Sequence, residues 1–310
     1  MNTPDRQHSL LHPSILLPFA LITLIWGSTW LVIRDQVAAG GIQVPASWSV
    51  CYRFALAALG MFAFAAVRRL PLKLDRQGLM FAAALGLFQF TMNFNFVYRA
   101  ELYLTSGVVA VLYALLLVPN SLLARIFFRE AVTPGFLAGS AIALCGIAML
   151  FTHEYRDATV DQRHVLAGVA LGLAGLLSAS VSNVMQGSAV ARARPMPVLV
   201  AWAMLLGALF DALLAWTTSG PPVFDPRLAY IAGIAYLALA GSVVTFPLYF
   251  VLIQRIGAGR AAYSGVAVPV IAMALSTVFE GYHWSVLAGS GAMLAMLGMV
   301  VALRAKRKPS

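Results

Sequence analysis

SGVVAVLYALLLVPNSLLARIFFRE, residues 106–130, carries a proline midway along an apolar run and a glutamate at its end. A shift of 150 residues lays Tyr113 on Tyr263, Pro119 on Pro269 and Glu130 on Glu280. Further on, Leu137-Ala138-Gly139-Ser140 falls on Leu287-Ala288-Gly289-Ser290 without a gap. Leu and Ala coincide cheaply in an apolar chain, but a Tyr, a Pro and a Glu in one register do not. The chain is therefore an internal repeat, each copy half its length, with halves 1–155 and 156–310.

Hydrophobic residues make up 61% of the chain and charged ones 10%, with a mean hydropathy of +0.85. No water-soluble surface can be built from that composition. Apolar runs recur at the roughly 20-residue length of a bilayer-spanning helix. The expected fold class is an all-α polytopic membrane protein. Ten transmembrane helices fit, near 14–34, 46–67, 77–98, 104–127, 134–152, 165–188, 197–217, 227–253, 259–280 and 284–303. The first run is too long for a signal peptide and reads as an uncleaved span. Cys51 and Cys145 both fall inside apolar segments, which argues against a disulfide.

The net charge of +10 reports topology and not a nucleic-acid partner. Fifteen Lys and Arg residues lie in the loops and termini of one face and five on the other, with Arg53 inside span two. The positive-inside rule then places both termini in the cytoplasm. Five spans per copy is an odd number, so the second copy is inverted: Glu130 ends span four inside and Glu280 ends span nine outside. Two inverted five-helix repeats are the architecture by which many transporters alternate access around a midplane site.

A proline within a span removes one backbone donor and strands the carbonyl four residues earlier. Pro119, Pro247 and Pro269 are thus expected hinges, leaving Leu115, Val243 and Gly265 without their helical partner; a kink used only for packing is the alternative. Polar and aromatic side chains fall in helical stripes. These are Trp26, Thr29 and Trp30 in span one, Gln89, Asn93 and Phe96 in span three, and Ser178, Ser182, Asn183 and Gln186 in span six. Span eight adds Ser242, Thr245, Phe246 and Tyr249. Amides and hydroxyls are costly in hydrocarbon, so these faces are expected to line a cavity, although interhelical hydrogen bonding would also satisfy them. Tyr113 and Tyr263 are expected at the two mouths, as gates or as interfacial belt residues. Arg53 and Asp211, on repeat-mate spans two and seven, are expected to pair with each other or with a loop. Gly135 and Gly139, Gly168 and Gly172, and Gly289 with Gly291 read as close-packing positions.

No carboxylate or basic residue sits near the middle of spans one, three, four, six, eight or nine. A neutral, amide-rich and aromatic cavity suits an uncharged or zwitterionic solute. The expected partners are a small-molecule substrate and the lipid bilayer, with no nucleic acid, no cofactor and no metal. A proton as coupling ion and the oligomeric state are left open. An intramembrane enzyme would need a nucleophile–base pair at membrane depth. All five histidines lie outside the spans or at their ends, and Cys145 has no evident base. A non-transporting receptor or scaffold would not require paired prolines in inverted copies.

Ile25-Trp26-Gly27-Ser28-Thr29, Tyr52-Arg53-Phe54, and the Pro119…Glu130 and Pro269…Glu280 pairs together resemble the EamA-type ten-helix branch of the drug/metabolite transporter superfamily. The resemblance covers residues 14–303. It implies a basket in which spans one, three, four, six, eight and nine surround a central cavity. It also implies export of amino acids and related metabolites. Span six lacks a tryptophan to match span one.

Overall fold

In lipid a chain must satisfy its backbone within itself, so runs this apolar fold as helices. The computed structural model describes residues 13–38, 42–129, 131–157, 162–256 and 264–305. Its ten apolar helices are α1 (Pro13–Ala38), α2 (Ala46–Val67), α3 (Arg76–Ala100), α4 (Ser106–Phe128), α5 (Pro134–Asp157), α6 (Gln162–Met185), α7 (Met196–Ser219), α8 (228–256), α9 (Ser264–Phe279) and α10 (Val286–Ala305). Among the described residues nine are long and apolar enough to cross a membrane, and the described part of α9 spans 16 residues. Glu130 and Tyr263 lie outside the described residues.

Consecutive helices alternate in direction. The end of α1, the start of α4 and the end of α9 meet where Arg34, Ser106 and Glu280 come together. Trp48 at the start of α2 reaches the Gly220 carbonyl just beyond α7, and Ser49 meets Tyr230 at the start of α8. This end is called the Glu280 face below. At the opposite face Asp75, which caps α3 by accepting from the Gly78 N–H, takes a bidentate contact from Arg194 before α7. Because α1 runs toward the Glu280 face and α6 away from it, the second five helices are inverted relative to the first.

Repeat mates pack as pairs. The α5–α10 contact brings backbones together: a Cβ on Gly139 would lie 2.3 Å from the Ala302 nitrogen, and one on Gly146 2.3 Å from that of Ala295. Only glycine permits that approach. Gly146 and Gly298 belong to this seam, whereas Gly289 does not. α2 and α7 form the second mated pair. Several further contacts come in symmetric sets: α3 on α6 and α8 on α1, α3 on α7 and α8 on α2, and α4 on α9.

Both α3 and α8 contain a π-helical stretch, Gly86–Met92 and Tyr236–Val244. The second begins where the 150-residue shift from Gly86 lands. A wide turn misdirects carbonyls that an α-helix would bond. Ser178 of α6 donates to the Phe88 carbonyl (2.8 Å), and Trp26 of α1 donates to the Gly241 carbonyl (3.3 Å). Each π stretch is thereby supported by the first helix of the other repeat. Periodicity had α3 and α8 as plain spans, because no side-chain pattern marks a π turn.

α4 is two helices, Ser106–Ala114 and Leu117–Phe128, separated at Leu115–Leu116. Pro119 cannot donate to the Leu115 carbonyl, which instead accepts from the Val118 N–H (2.8 Å) in a tightened turn. Pro269, in contrast, lies inside an uninterrupted α9.

Candidate functional site

The break in α4 presents Tyr113, the residue just before its last α-helical position, to the interior of the bundle. Its ring lies against Trp30 of α1, centroids 5.1 Å apart, and its hydroxyl donates to Asn93 Oδ1 of α3 (2.7 Å). Asn93 in turn donates to the Gln89 carbonyl (3.2 Å), and Ser182 of α6 donates to Gln89 Oε1. Four helices are joined by one chain of side chains: Trp30, Tyr113, Asn93, Gln89, Ser182. Gly175 of α6 permits this, since a Cβ there would sit 2.4 Å from the Tyr113 hydroxyl and 3.2 Å from the Phe96 Cβ. Trp30 and Tyr113 pack against both large apolar clusters of the protein, so this chain lies at their junction. A buried neutral hydrogen bond is worth about 1 kcal/mol and an aromatic pair about 0.5–1.5 kcal/mol beyond its area.

A second group lies between α1 and α8. Trp26 Nε1 donates to Thr245 Oγ1 (2.9 Å), and its indole meets Phe246 edge-on at 6.2 Å and Tyr249 at 5.2 Å. Thr29 folds back to donate to the Trp26 carbonyl (2.7 Å), with its methyl group against Gly241. Pro247 lies three residues beyond the end of the π stretch. Leu248 and Tyr249 beyond it pack with Trp26 on Ile22 and Leu252.

Of the residues expected to line a cavity, the structure gathers Trp30, Gln89, Asn93, Phe96, Tyr113, Ser178 and Ser182 on one side and Trp26, Thr29, Thr245, Phe246 and Tyr249 on the other. Asn183 and Gln186 are half-buried toward the far end of α6 and join none of these hydrogen bonds among the described residues. Tyr113 lies two turns inside α4 from Ser106 and not at a mouth.

The Glu280 face holds a cluster that the stripes did not reveal. Glu280, at the end of α9, accepts from the Ser106 N–H (3.1 Å) and Ser106 Oγ (2.9 Å), and from Ser276. Arg34 Nε lies 3.9 Å from it. Glu280 thus fixes a helix start, as a carboxylate near an N-terminus should, but the helix belongs to the other repeat. Deeper in, Asp211 accepts from Asn95 Nδ2 (2.7 Å), and Ser47 donates to the same amide's oxygen. Arg53 is not paired with Asp211. Its guanidinium stacks over Phe94 (4.4 Å) and Phe54 (5.0 Å) instead. The repeat-mate argument put both charges at one depth, but Asn95 takes the carboxylate first. Tyr98 donates to Gln36 Oε1 (2.9 Å), and Glu101 is fully buried. Asn95 sits two residues off the Asn93 stripe, and Glu101 read as a loop residue; only the packing of α1, α4 and α9 over the end of α3 buries it.

The sequence profile of the EamA-like transporter family matches the chain twice, over residues 14–152 and 166–304. Protein PagO of Salmonella typhimurium is 25% identical, over 94% of this chain and 91% of its own. A protein of Escherichia coli K12 named "probable amino-acid metabolite efflux pump" is 25% identical over 91% and 92%. The inner membrane transporter YedA of the same organism is 29% identical over 85% and 81%. A solved crystal structure superimposes with a TM-score of 0.66 at 21% identity, covering 95% of this chain and 98% of that one, which speaks to fold alone.

Proposed function

The chain belongs to the EamA-like transporter family, and we propose that it is a secondary transporter exporting small neutral or zwitterionic metabolites such as amino acids across a bacterial inner membrane. In this reading repeats 1–155 and 156–310 alternate access around the bundle interior, with Pro119, Pro247 and Pro269 as hinges. The termini are cytoplasmic and the Glu280 face is external, following the Lys and Arg distribution. The observation that carries the solute class is the chain Trp30–Tyr113–Asn93–Gln89–Ser182. It offers amide and hydroxyl groups beside aromatic rings, with no charged member, at the junction of four helices. Those groups can solvate a zwitterion's polar end while Trp30, Phe96 and Tyr113 take an apolar side chain. The Trp26, Thr29, Thr245, Phe246 and Tyr249 group supplies the wall from α1 and α8. The name of the Escherichia coli relative points to the same solute class.

The test is counterflow in proteoliposomes, at equal pH on both sides, across amino acids, sugars, nucleosides, organic cations and phosphorylated solutes. Exchange of apolar or aromatic amino acids above protein-free vesicles is expected. Exchange confined to organic cations or phosphorylated solutes would overturn the proposed class.

A further inference from the structure

We propose that Glu101 is a proton-binding site whose occupancy sets whether the Glu280 face of the transporter is closed. The inference rests on the alternating-access reading above and adds to it a titrating group and its position.

Glu101 follows directly on the membrane-length segment Arg76–Ala100, and its N–H closes the end of that helix on the Val97 carbonyl (3.0 Å). None of the residue is exposed, and neither carboxylate oxygen has a hydrogen-bond partner among the described residues. Charged and titratable groups face it from every side: Glu280 at the end of α9, Arg34 from α1, Arg53 from α2, Tyr98 from its own helix and Tyr113 from α4. The two carboxylates are treated unequally. Glu280 has both hydrogen-bond donors of Ser106, the hydroxyl of Ser276 and the closer approach of Arg34. Glu101 has none of these, and no ion pair forms between it and either arginine. Arg34 Nη1 and Arg53 Nε and Nη1 are also buried without a partner.

An ionised carboxylate without hydrogen bonds in such surroundings costs several kcal/mol, and the group neutralises instead. Burial raises the Glu101 carboxyl well above the usual carboxylate range and the neighbouring Glu280 carboxylate adds to this, while Arg34 and Arg53 pull against it. With the face closed, Glu280 holds its hydrogen bonds to Ser106 and Ser276, and Glu101 keeps a proton. Opening separates Ser106 from Glu280, admits water and frees Arg34. The O–H bond of Glu101 then breaks, the proton passes to water at the Glu280 face, and the carboxylate pairs with a guanidinium. Proton affinity is higher in the closed state, so closure takes up one proton. Acid favours the closed face, and that preference is lost as pH rises through the closed-state pKa.

Ala110 supplies the reporter: it is 1% exposed, one turn inside Ser106 and three residues before Tyr113. The full chain, with Cys51→Ala, Cys145→Ala and Ala110→Cys, is placed in lipid nanodiscs without solute and labelled with an impermeant maleimide across a pH series. With each rate divided by that of a small free thiol at the same pH, which removes the thiolate's own pH dependence, labelling is expected to accelerate with pH, by up to about tenfold per unit in the titrating range for one proton. Glu101→Gln, which cannot lose a proton, should label slowly at every pH. Glu101→Asp should restore the pH dependence with a displaced midpoint. Infrared difference spectra of the unsubstituted protein should show a protonated-carboxyl band that fades with rising pH and moves in Glu101→Asp. An unchanged pH profile in Glu101→Gln, or a titrating band indifferent to Glu101→Asp, overturns the assignment. Solute counterflow at one pH tests the transporter reading, and these measurements use no solute, so the two fail separately.

Discussion

α4 and α9 are the same segment written twice, yet one is broken and the other is not. Pro119 follows a break at Leu115–Leu116, while Pro269 sits within a continuous helix. The ring and the missing N–H are identical, so proline chemistry alone does not decide the outcome. The partners differ. The first half of α4 is held against α9, with Ser106 bound by Glu280, whereas its second half packs on α6. The two halves of α4 are thus held by different partners on either side of the point that Pro119 weakens. α9 meets the first half of α4 and α1 as one unbroken rod. Beside Pro269 an apolar cleft of about 440 Å3, also lined by Met273, Trp284 and Met296, gives α9 room to bend. A proline permits a bend, and the anchors on either side of it decide whether the bend is made. In the alternating-access reading proposed above, that difference is a difference of state, and its mirror image is the other state.

The largest effect is expected from cutting the anchor. Glu280→Ala removes three hydrogen bonds to a charged acceptor, each worth about 1.5–3 kcal/mol, and strands Arg34. Maleimide labelling of Ala110→Cys should rise by more than about tenfold while the protein remains folded by circular dichroism. If labelling stays at the parent rate, Glu280 does not hold α4, and its broken form needs another cause.

The interior cluster should respond next, through transport and not through folding. Asn93→Leu removes the acceptor of the Tyr113 hydroxyl and should lower exchange about fivefold, with thermal stability shifted by only a few degrees. Asn183→Leu and Gln186→Leu, outside that hydrogen-bonded chain, should cost less than about threefold. Equal losses at all three positions would mean that the stripe on α6, and not the junction at Tyr113, is what the solute meets. A single neutral hydrogen bond of about 1 kcal/mol sets this scale.

The smallest effect concerns a contact the two repeats share at the opposite face. Arg194 holds the exposed Asp75 carboxyl below the usual carboxylate range, with the Gly78 N–H assisting. A depressed folded-state pKa contributes stability above the unfolded value near 3.9, lost only as pH falls through the folded one. Arg194→Ala should therefore lower the melting temperature slightly and evenly from pH 5 to 8. A difference from the parent that itself changes within that range would show that Asp75 is not the partner through which Arg194 acts.

Much of this was legible in residues 106–130 and their echo. The proline and glutamate register, the apolar run lengths and the uneven Lys and Arg loops led to ten helices in two inverted copies, and the family match runs across both. Helical stripes also picked out Trp30, Asn93 and Ser182, because a polar group in an apolar helix has few places to go. Three things were not legible. The π turns leave no side-chain period. The break in α4 depends on anchors remote in sequence. Asn95 sits off the Asn93 stripe, and Glu101 and Gln36 become interior only when helix ends from both repeats converge, where hydropathy counts residues as loop.

The central claim is that α4 and α9 exchange the broken form between states. It is tested most directly by measuring Ala110→Cys labelling in Pro119→Ala, Pro269→Ala and the double variant. Restoring a helical proline site can return up to about 3 kcal/mol, and a shift of 1.4 kcal/mol is about tenfold in population. Pro119→Ala should straighten α4, disfavour the closed Glu280 face and speed labelling. Pro269→Ala should slow it, and the double variant should return toward the parent. Both single variants shifting labelling in the same direction, or neither shifting it, would contradict the exchange.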